Sequence, residues 1–291
     1  MAKKSVKRTR NSNVTRINKT LRQSKLMLTP LEYLKRSNTT IFGNDLLSNG
    51  SINSISLDKF RKNNLTKLDA SSVNLIAFEY SEIIQELLDN DILNYEEHQH
   101  IIDCMLKIDF ECYFSKDVIN SKTNLNAQIL KILGNNLIPG ASVLNIGSGL
   151  GALSVIFANM VNVRGLYKNY DKGSVTSIEI NKDKVNKIKE NISKDSVNKD
   201  LLDEVNFRII EDNGKYGYPS KSIEQLYDII YVGLATKKNH APKFLKSQLK
   251  EGGVMFIPIV NEGKQQVRIY QRIDGKIKYL NSELNINYSY F

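Results

Sequence analysis

The sequence predicts an α/β fold: a mostly parallel sheet covered on both faces, with helices before it and a basic extension ahead of those. Two patterns predict the sheet. From Val143 onward, short apolar runs of strand length alternate with amphipathic runs of helical length. The first of these strands runs straight into the glycine turn Gly147-Ser148-Gly149-Leu150-Gly151. A third observation sets the extension apart, because the charge is divided very unevenly along the chain. Residues 1–78 hold 15 Lys and Arg against 4 acids, whereas residues 79–291 are nearly neutral.

The elements follow in order. Residues 1–31 carry nine cations and no acid, and Val14, Ile17, Leu21 and Leu28 fall at helical spacing within them. Residues 37–74 are rich in Asn and Ser and weakly periodic, so 1–78 reads as an arm or linker and 79–291 as the folded domain. Ser81 and Glu82 would start a helix bearing Ile83, Ile84, Leu87 and Leu88. A second helix is expected over His98 to Ile108 and a third over Asn124 to Asn136, ended by Pro139-Gly140. Strands are expected at Val143–Ile146, Val175–Ile180, Val205–Ile210, Tyr227–Val232 and Val254–Val260. Helices are expected between them at Leu153–Met160, Lys184–Ile192 and Phe244–Leu249.

The chain has 291 residues, 41% of them hydrophobic, and no run near the roughly 18 apolar residues of a membrane-spanning helix. It also lacks an apolar signal core, which points away from membrane and secretory roles. Cys104 and Cys112 are too few for a disulfide framework and fit a reduced, intracellular protein with both thiols in the core. The location expected is cytoplasmic, with mitochondrial as the alternative that an amphipathic, acid-poor N-terminus allows.

Chemistry is expected at the carboxyl ends of the strands, where parallel α/β sheets bind ligands. Glycines at i, i+2 and i+4 let the backbone turn tightly and approach a ligand with no side chain between. That spacing differs from Gly-x-Gly-x-x-Gly and favours S-adenosylmethionine over a dinucleotide. Glu179 closes the next strand, 28 residues beyond Gly151, where a carboxylate can accept both ribose hydroxyls. Its bland reading is a helix-capping acid. Asp212 and Asn213 follow the third strand and suit an adenine amino group or an ordinary turn. His98 and His100, two apart on a helix, point to different sides, so no metal site is expected. His240 reads as a solvated loop residue, and Tyr288 and Tyr290 as strand residues.

Read together, residues 79–291 resemble the protein-L-isoaspartate O-methyltransferase family. The resemblance is carried by Ser81-Glu82-Ile83-Ile84, Cys104-Met105-Leu106, Val143 to Gly151, Phe157-Ala158-Asn159-Met160-Val161 and Tyr216-Gly217-Tyr218. It continues through Tyr227 to Gly233, Leu249-Lys250-Glu251-Gly252-Gly253 and Ile257-Pro258. It implies a Rossmann-like, S-adenosylmethionine-dependent methyltransferase fold with a seven-stranded-type sheet, and methyl transfer to a protein or peptide carboxylate in repair of damaged proteins. By the same comparison Asn145, Gly147, Ser148, Gly149, Gly151, Glu179, Asp212 and Asn213 would hold the cofactor, and Ser121 would orient the substrate.

The departures are equally specific. The family's Ser-x-Pro-His-x-His-like segment is here Ser121-Lys122-Thr123-Asn124-Leu125-Asn126, which keeps only the serine. Asn145 stands in place of an aspartate. The loop Phe114 to Asn120 is short, and Arg164 to Lys172 is inserted. These changes support an alternative reading: a degenerate methyltransferase fold serving as a scaffold, bound through residues 1–36 to RNA or a ribonucleoprotein such as a mitochondrial ribosome.

Overall fold

The computed structural model describes residues 83–165, 171–237, 240–282, 284 and 286–290. Its seven strands are β1 (Ser142–Ile146), β2 (Ser174–Glu179), β3 (Phe207–Glu211), β4 (Tyr227–Val232), β5 (Leu249–Asn261), β6 (Lys264–Ile273) and β7 (Lys276–Asn281). They form one sheet in the order β3-β2-β1-β4-β5-β6-β7. Pairing is parallel from β3 through β5 and antiparallel along β5, β6 and β7. The strand order reverses between β1 and β4, which makes the carboxyl end of β1 the place where a crevice opens.

Residues 83–89 are helical. They are followed by α1 (Tyr95–Met105), α2 (Ile119–Leu133), α3 (Ala152–Met160), α4 (Lys182–Lys194) and the short α5 (Lys243–Ser247). The two faces of the sheet are dressed unequally. One face packs Val143, Val175, Ile229 and Phe256 against residues from the helices before the sheet and from α3 and α4. The other packs Leu144, Ile146, Ile230, Met255 and Ile257 against Leu245 of α5, with Tyr218 alongside. This alternation follows the pleat, which sends successive side chains of a strand to opposite faces. α3 is apolar nearly all round and accordingly buried, whereas α4 keeps only Val185, Ile188, Asn191 and Ile192 inside.

Several expectations need correction. α1 starts three residues before His98, because the Asn94 side chain accepts from Glu96 N at 2.7 Å and caps it there. α2 starts five residues before Asn124, so Ser121 to Asn126 lie inside a helix rather than ahead of one. The third strand starts at Phe207, leaving Val205 87% exposed. Leu249 opens β5 instead of closing α5, and β5 runs to Asn261. The hairpin of β6 and β7 supplies the two strands of the seven-stranded sheet that the apolar runs do not mark. Tyr290 makes only an isolated bridge with Ala235, and Tyr288 is in no strand. The boundary at 78/79, the cap at Ser81 and the basic arm lie outside the described residues.

Candidate active site

The glycine turn is shaped by what surrounds each glycine. Gly147, Gly149 and Gly151 have φ of 74°, 63° and 99°, a region L side chains rarely adopt. A Cβ on Gly147 would stand 2.8 Å from Leu234 Cγ, and one on Gly151 2.9 Å from Ile188 Cγ2. At Gly149 nothing lies within 4 Å, so the middle of the turn faces open space. Among the described residues no acceptor is bonded to the N–H of Gly149 or of Leu150. Gly147 N donates to Ile178 O at 2.8 Å and Ser148 Oγ donates to the same oxygen at 3.0 Å, which ties the turn to the end of β2. α3 begins directly after Gly151, so its positive N-terminal end adjoins the turn.

Glu179 ends β2 next to this turn. The carboxylate is nearly buried, and its Oε1 accepts from Ile180 N at 3.1 Å and Asn181 N at 3.3 Å. The cap of α4 is Asn181, whose side chain accepts from Lys184 N at 3.0 Å. Glu179 is therefore not a capping acid, and among the described residues no group occupies its Oε2. Asp212 follows β3, with its N–H donating to Glu179 O at 3.2 Å. Its Oδ1 accepts from Asn213 N at 2.7 Å, and Asn213 Oδ1 accepts from Lys215 N at 3.2 Å. Glu179, Asp212 and Asn213 thus share one edge of the sheet with the glycine turn.

Two residues that the glycine spacing and the Glu179 position do not mark stand at this edge. Leu150, in the glycine turn, and Ile180, directly after Glu179, are large apolar side chains that are 41% and 63% exposed.

Asn145 sits elsewhere. It is fully buried, with Nδ2 donating to Ser154 Oγ at 2.9 Å, and Ser177 Oγ donates to that same hydroxyl at 2.9 Å. Among the described residues Asn145 Oδ1 has no hydrogen-bond partner. The residue acts behind the turn, between β1, α3 and β2, and not on its open side. Ser121 is exposed in the first turn of α2, and its Oγ donates to Val118 O at 2.9 Å.

Tyr113, whose ring would stand 3.7 Å from a Cβ on Gly151, leads from the turn to a buried polar cluster. Asp195 is fully buried and accepts from Tyr113 OH at 3.0 Å, from Asn198 Nδ2 at 2.9 Å, and from the backbone N–H groups of Val197 and Asn198. Burial pushes its carboxyl up despite these donors, and burial beside Asp195 pushes the Tyr113 phenol up as well. His98 Nδ1 accepts from Asn94 N at 3.0 Å, and burial lowers the imidazole. His100 packs against Gly134 with Nε2 unpartnered, and burial holds it down at about 4. Burial pushes the thiols of Cys104 and Cys112 up to about 11 and about 12.

Comparison with known proteins places this arrangement. The family model described as protein-L-isoaspartate(D-aspartate) O-methyltransferase matches residues 79–288. A Caenorhabditis elegans protein-L-isoaspartate O-methyltransferase is 36% identical over 159 residues, 54% of this chain and 64% of its own length. An Arabidopsis thaliana protein-L-isoaspartate O-methyltransferase 1 is 26% identical over 209 residues, 70% of this chain and 79% of its own. Among solved structures, a Plasmodium falciparum protein of the same description, in complex with S-adenosyl-L-homocysteine, superposes with a TM-score of 0.63. It is 27% identical and covers 72% of this chain and 97% of that one. The motifs, the sheet and the match over most of the described chain agree, and the chain belongs to the protein-L-isoaspartate(D-aspartate) O-methyltransferase family.

Proposed function

We propose that this protein transfers a methyl group from S-adenosylmethionine to the carboxylate of an isoaspartyl residue in a protein or peptide. The observation that carries the reading is the pairing, at the switch point of the sheet, of an open Gly149 with a nearly buried Glu179 on the next strand. The residues fit the cofactor. The free N–H groups of Gly149 and Leu150, beside the start of α3, suit a carboxylate. Glu179 Oε2 suits the ribose hydroxyls, and Leu150 and Ile180 offer apolar surface to a purine. Asp212 or the Asn213 amide, at the end of β3, suits the adenine edge.

The bound cofactor supplies a methyl group on a positively charged sulfur, which an attacking carboxylate oxygen takes while the sulfur leaves as a neutral thioether. The chain's own task is mainly positioning, because a carboxylate needs no deprotonation near neutral pH. The cofactor groups are all assigned to β1, β2 and β3, so the acceptor enters from the β4 side. Ser121 is assigned to orient its carboxylate, exchanging the bond to Val118 O for one to the substrate.

Transfer of labelled methyl to matched isoaspartyl and aspartyl peptides tests the reading. Labelling of the isoaspartyl peptide alone, abolished by Gly149→Asp, is the expected result. No transfer under conditions where a competent family member succeeds would remove it. The family match and the named relatives give an RNA partner no support, and residues 1–36 lie outside the described residues.

A further inference from the structure

The glycine turn is held from outside its own strand. Asn191 is buried in α4 and donates Nδ2 to Leu150 O at 3.0 Å. One turn earlier on the same helix, Ile188 stands against Gly151. The next atom along that peptide is also fixed, since Gly151 N donates to Ser148 O at 3.0 Å. The Leu150–Gly151 peptide is therefore gripped at both ends, its carbonyl toward α4 and its N–H into the turn. A peptide group is planar, so gripping both ends fixes its orientation. The two N–H groups left over, those of Gly149 and Leu150, are the ones assigned above to the cofactor.

The helix that does this begins at Lys182, three residues after Glu179. One 13-residue helix thus abuts the ribose carboxylate at its first turn and grips the glycine turn at its third.

We propose that Asn191 is a positioning residue for cofactor binding, fixing the Gly149–Gly151 turn relative to Glu179 through its bond to the Leu150 carbonyl. This rests on the methyltransferase reading and deepens it, because neither the glycine spacing nor Glu179 identifies a residue on the helix that follows Glu179. Removing the donor leaves the Leu150 carbonyl without its buried partner and frees the peptide to rotate, which misdirects the adjoining amides.

The test is calorimetric titration of S-adenosylhomocysteine into the full chain and its Asn191→Ser and Asn191→Asp variants. Ser142→Ala serves as control, because Ser142 bonds Asp228 at the opposite, amino end of β1. Binding is expected to weaken about tenfold in Asn191→Ser, about 1.4 kcal/mol. Asn191→Asp should weaken it more, since its carboxylate repels the Leu150 oxygen. Turnover at saturating S-adenosylmethionine should stay within about twofold, while KM for S-adenosylmethionine rises with the loss of affinity. Ser142→Ala should lower the melting temperature and leave affinity unchanged. Asn191 variants that melt lower yet bind as tightly as the parent reduce the residue to packing and overturn the assignment. Should Asn191→Asp fail to fold, Asn191→Ser decides alone. A parent chain that binds no S-adenosylhomocysteine overturns the methyltransferase reading itself, and this assignment with it.

Discussion

Asn145 shows how far one side chain's role depends on what it faces. Its position two residues before Gly147 reads as a cofactor contact, yet its amide is spent on Ser154 in the interior. Any influence on the ligand is therefore through the field and not through contact. An aspartate there would accept from the Ser154 hydroxyl and place a negative charge under a site for a sulfonium. Asn145→Asp should favour S-adenosylmethionine over the uncharged thioether S-adenosylhomocysteine by several-fold. Calorimetry of both ligands measures the ratio, and an unchanged ratio removes the electrostatic account. His100 carries a second prediction at this scale. Its folded value of about 4 lies below the unfolded value of 6.5, so protonation favours the unfolded chain. The stability it contributes is complete above pH 6.5 and is lost as pH falls toward 4. Asp103, raised by burial to about 6, acts in the opposite sense over much of the same window, so the parent's own profile does not isolate His100. Relative to the parent, His100→Gln should gain about 2 kcal/mol between pH 7 and pH 5, read from urea melts at the two values. Equal pH slopes in parent and variant would contradict this.

Among the elements, those set by apolar runs were legible and those set by tertiary contacts were not. Tyr227–Val232 appears with the bounds that its pattern suggests, because a parallel central strand is buried on both faces. The early start of α2 was hidden, since Asn120, Ser121, Thr123 and Asn124 are weak helix formers. In the fold Thr123 is buried, and its hydroxyl turns back to the carbonyls of Ile119 and Asn120. The β6–β7 hairpin did leave a signal. The turn into β6, Glu262-Gly263, and the hairpin's own turn, Asp274-Gly275, both have positive φ at each residue, the backbone of two-residue hairpin turns. The Gln and Arg residues in Lys264–Ile273 mask the alternation of Val267 and Ile269 with Arg268 and Tyr270.

The last described segment is an element of a different kind, held by side chains instead of a ladder. Gln265 accepts from Tyr288 N at 2.7 Å and donates to Tyr288 O at 2.6 Å. The phenols of Tyr288 and the buried Tyr231 meet at 2.9 Å, and Ala235 N donates to Ser289 O at 2.7 Å. This segment braces the loop after β4, on the side assigned to the acceptor. Gln265→Leu should therefore raise KM for an isoaspartyl peptide several-fold while leaving S-adenosylhomocysteine affinity unchanged. Loss of cofactor affinity instead would place the brace on the wrong side of the site.

For the whole molecule, sheet order and charge belong together. Residues 83–118 hold nine acids and two lysines, whereas residues 119–291 hold 24 Lys and Arg against 16 acids. The near-neutral domain read from the sequence is thus an acidic helical stretch followed by a basic remainder of helices and strands, a separation that a net count conceals. The reversal of strand order at β1 and β4 then decides where chemistry occurs, by bringing the ends of β1, β2 and β3 to one edge. Fold and glycine turn were legible because both are local patterns repeated in order along the chain. The grip of Asn191 on Leu150 was not, because it joins residues 41 apart in sequence through a helix whose buried polar face no periodicity marks.

The central claim is that this edge binds S-adenosylmethionine, and calorimetric titration of that ligand into the full chain, with Gly149→Asp as the blocked control, tests it most directly. Gly149 has open space around it, and aspartate is among the residues that best tolerate a φ of 63°, so the variant should fold and fill the site. The account predicts saturable one-to-one binding by the parent chain, abolished in the variant. A folded parent that binds no ligand, or a variant that binds as well as the parent, would contradict it.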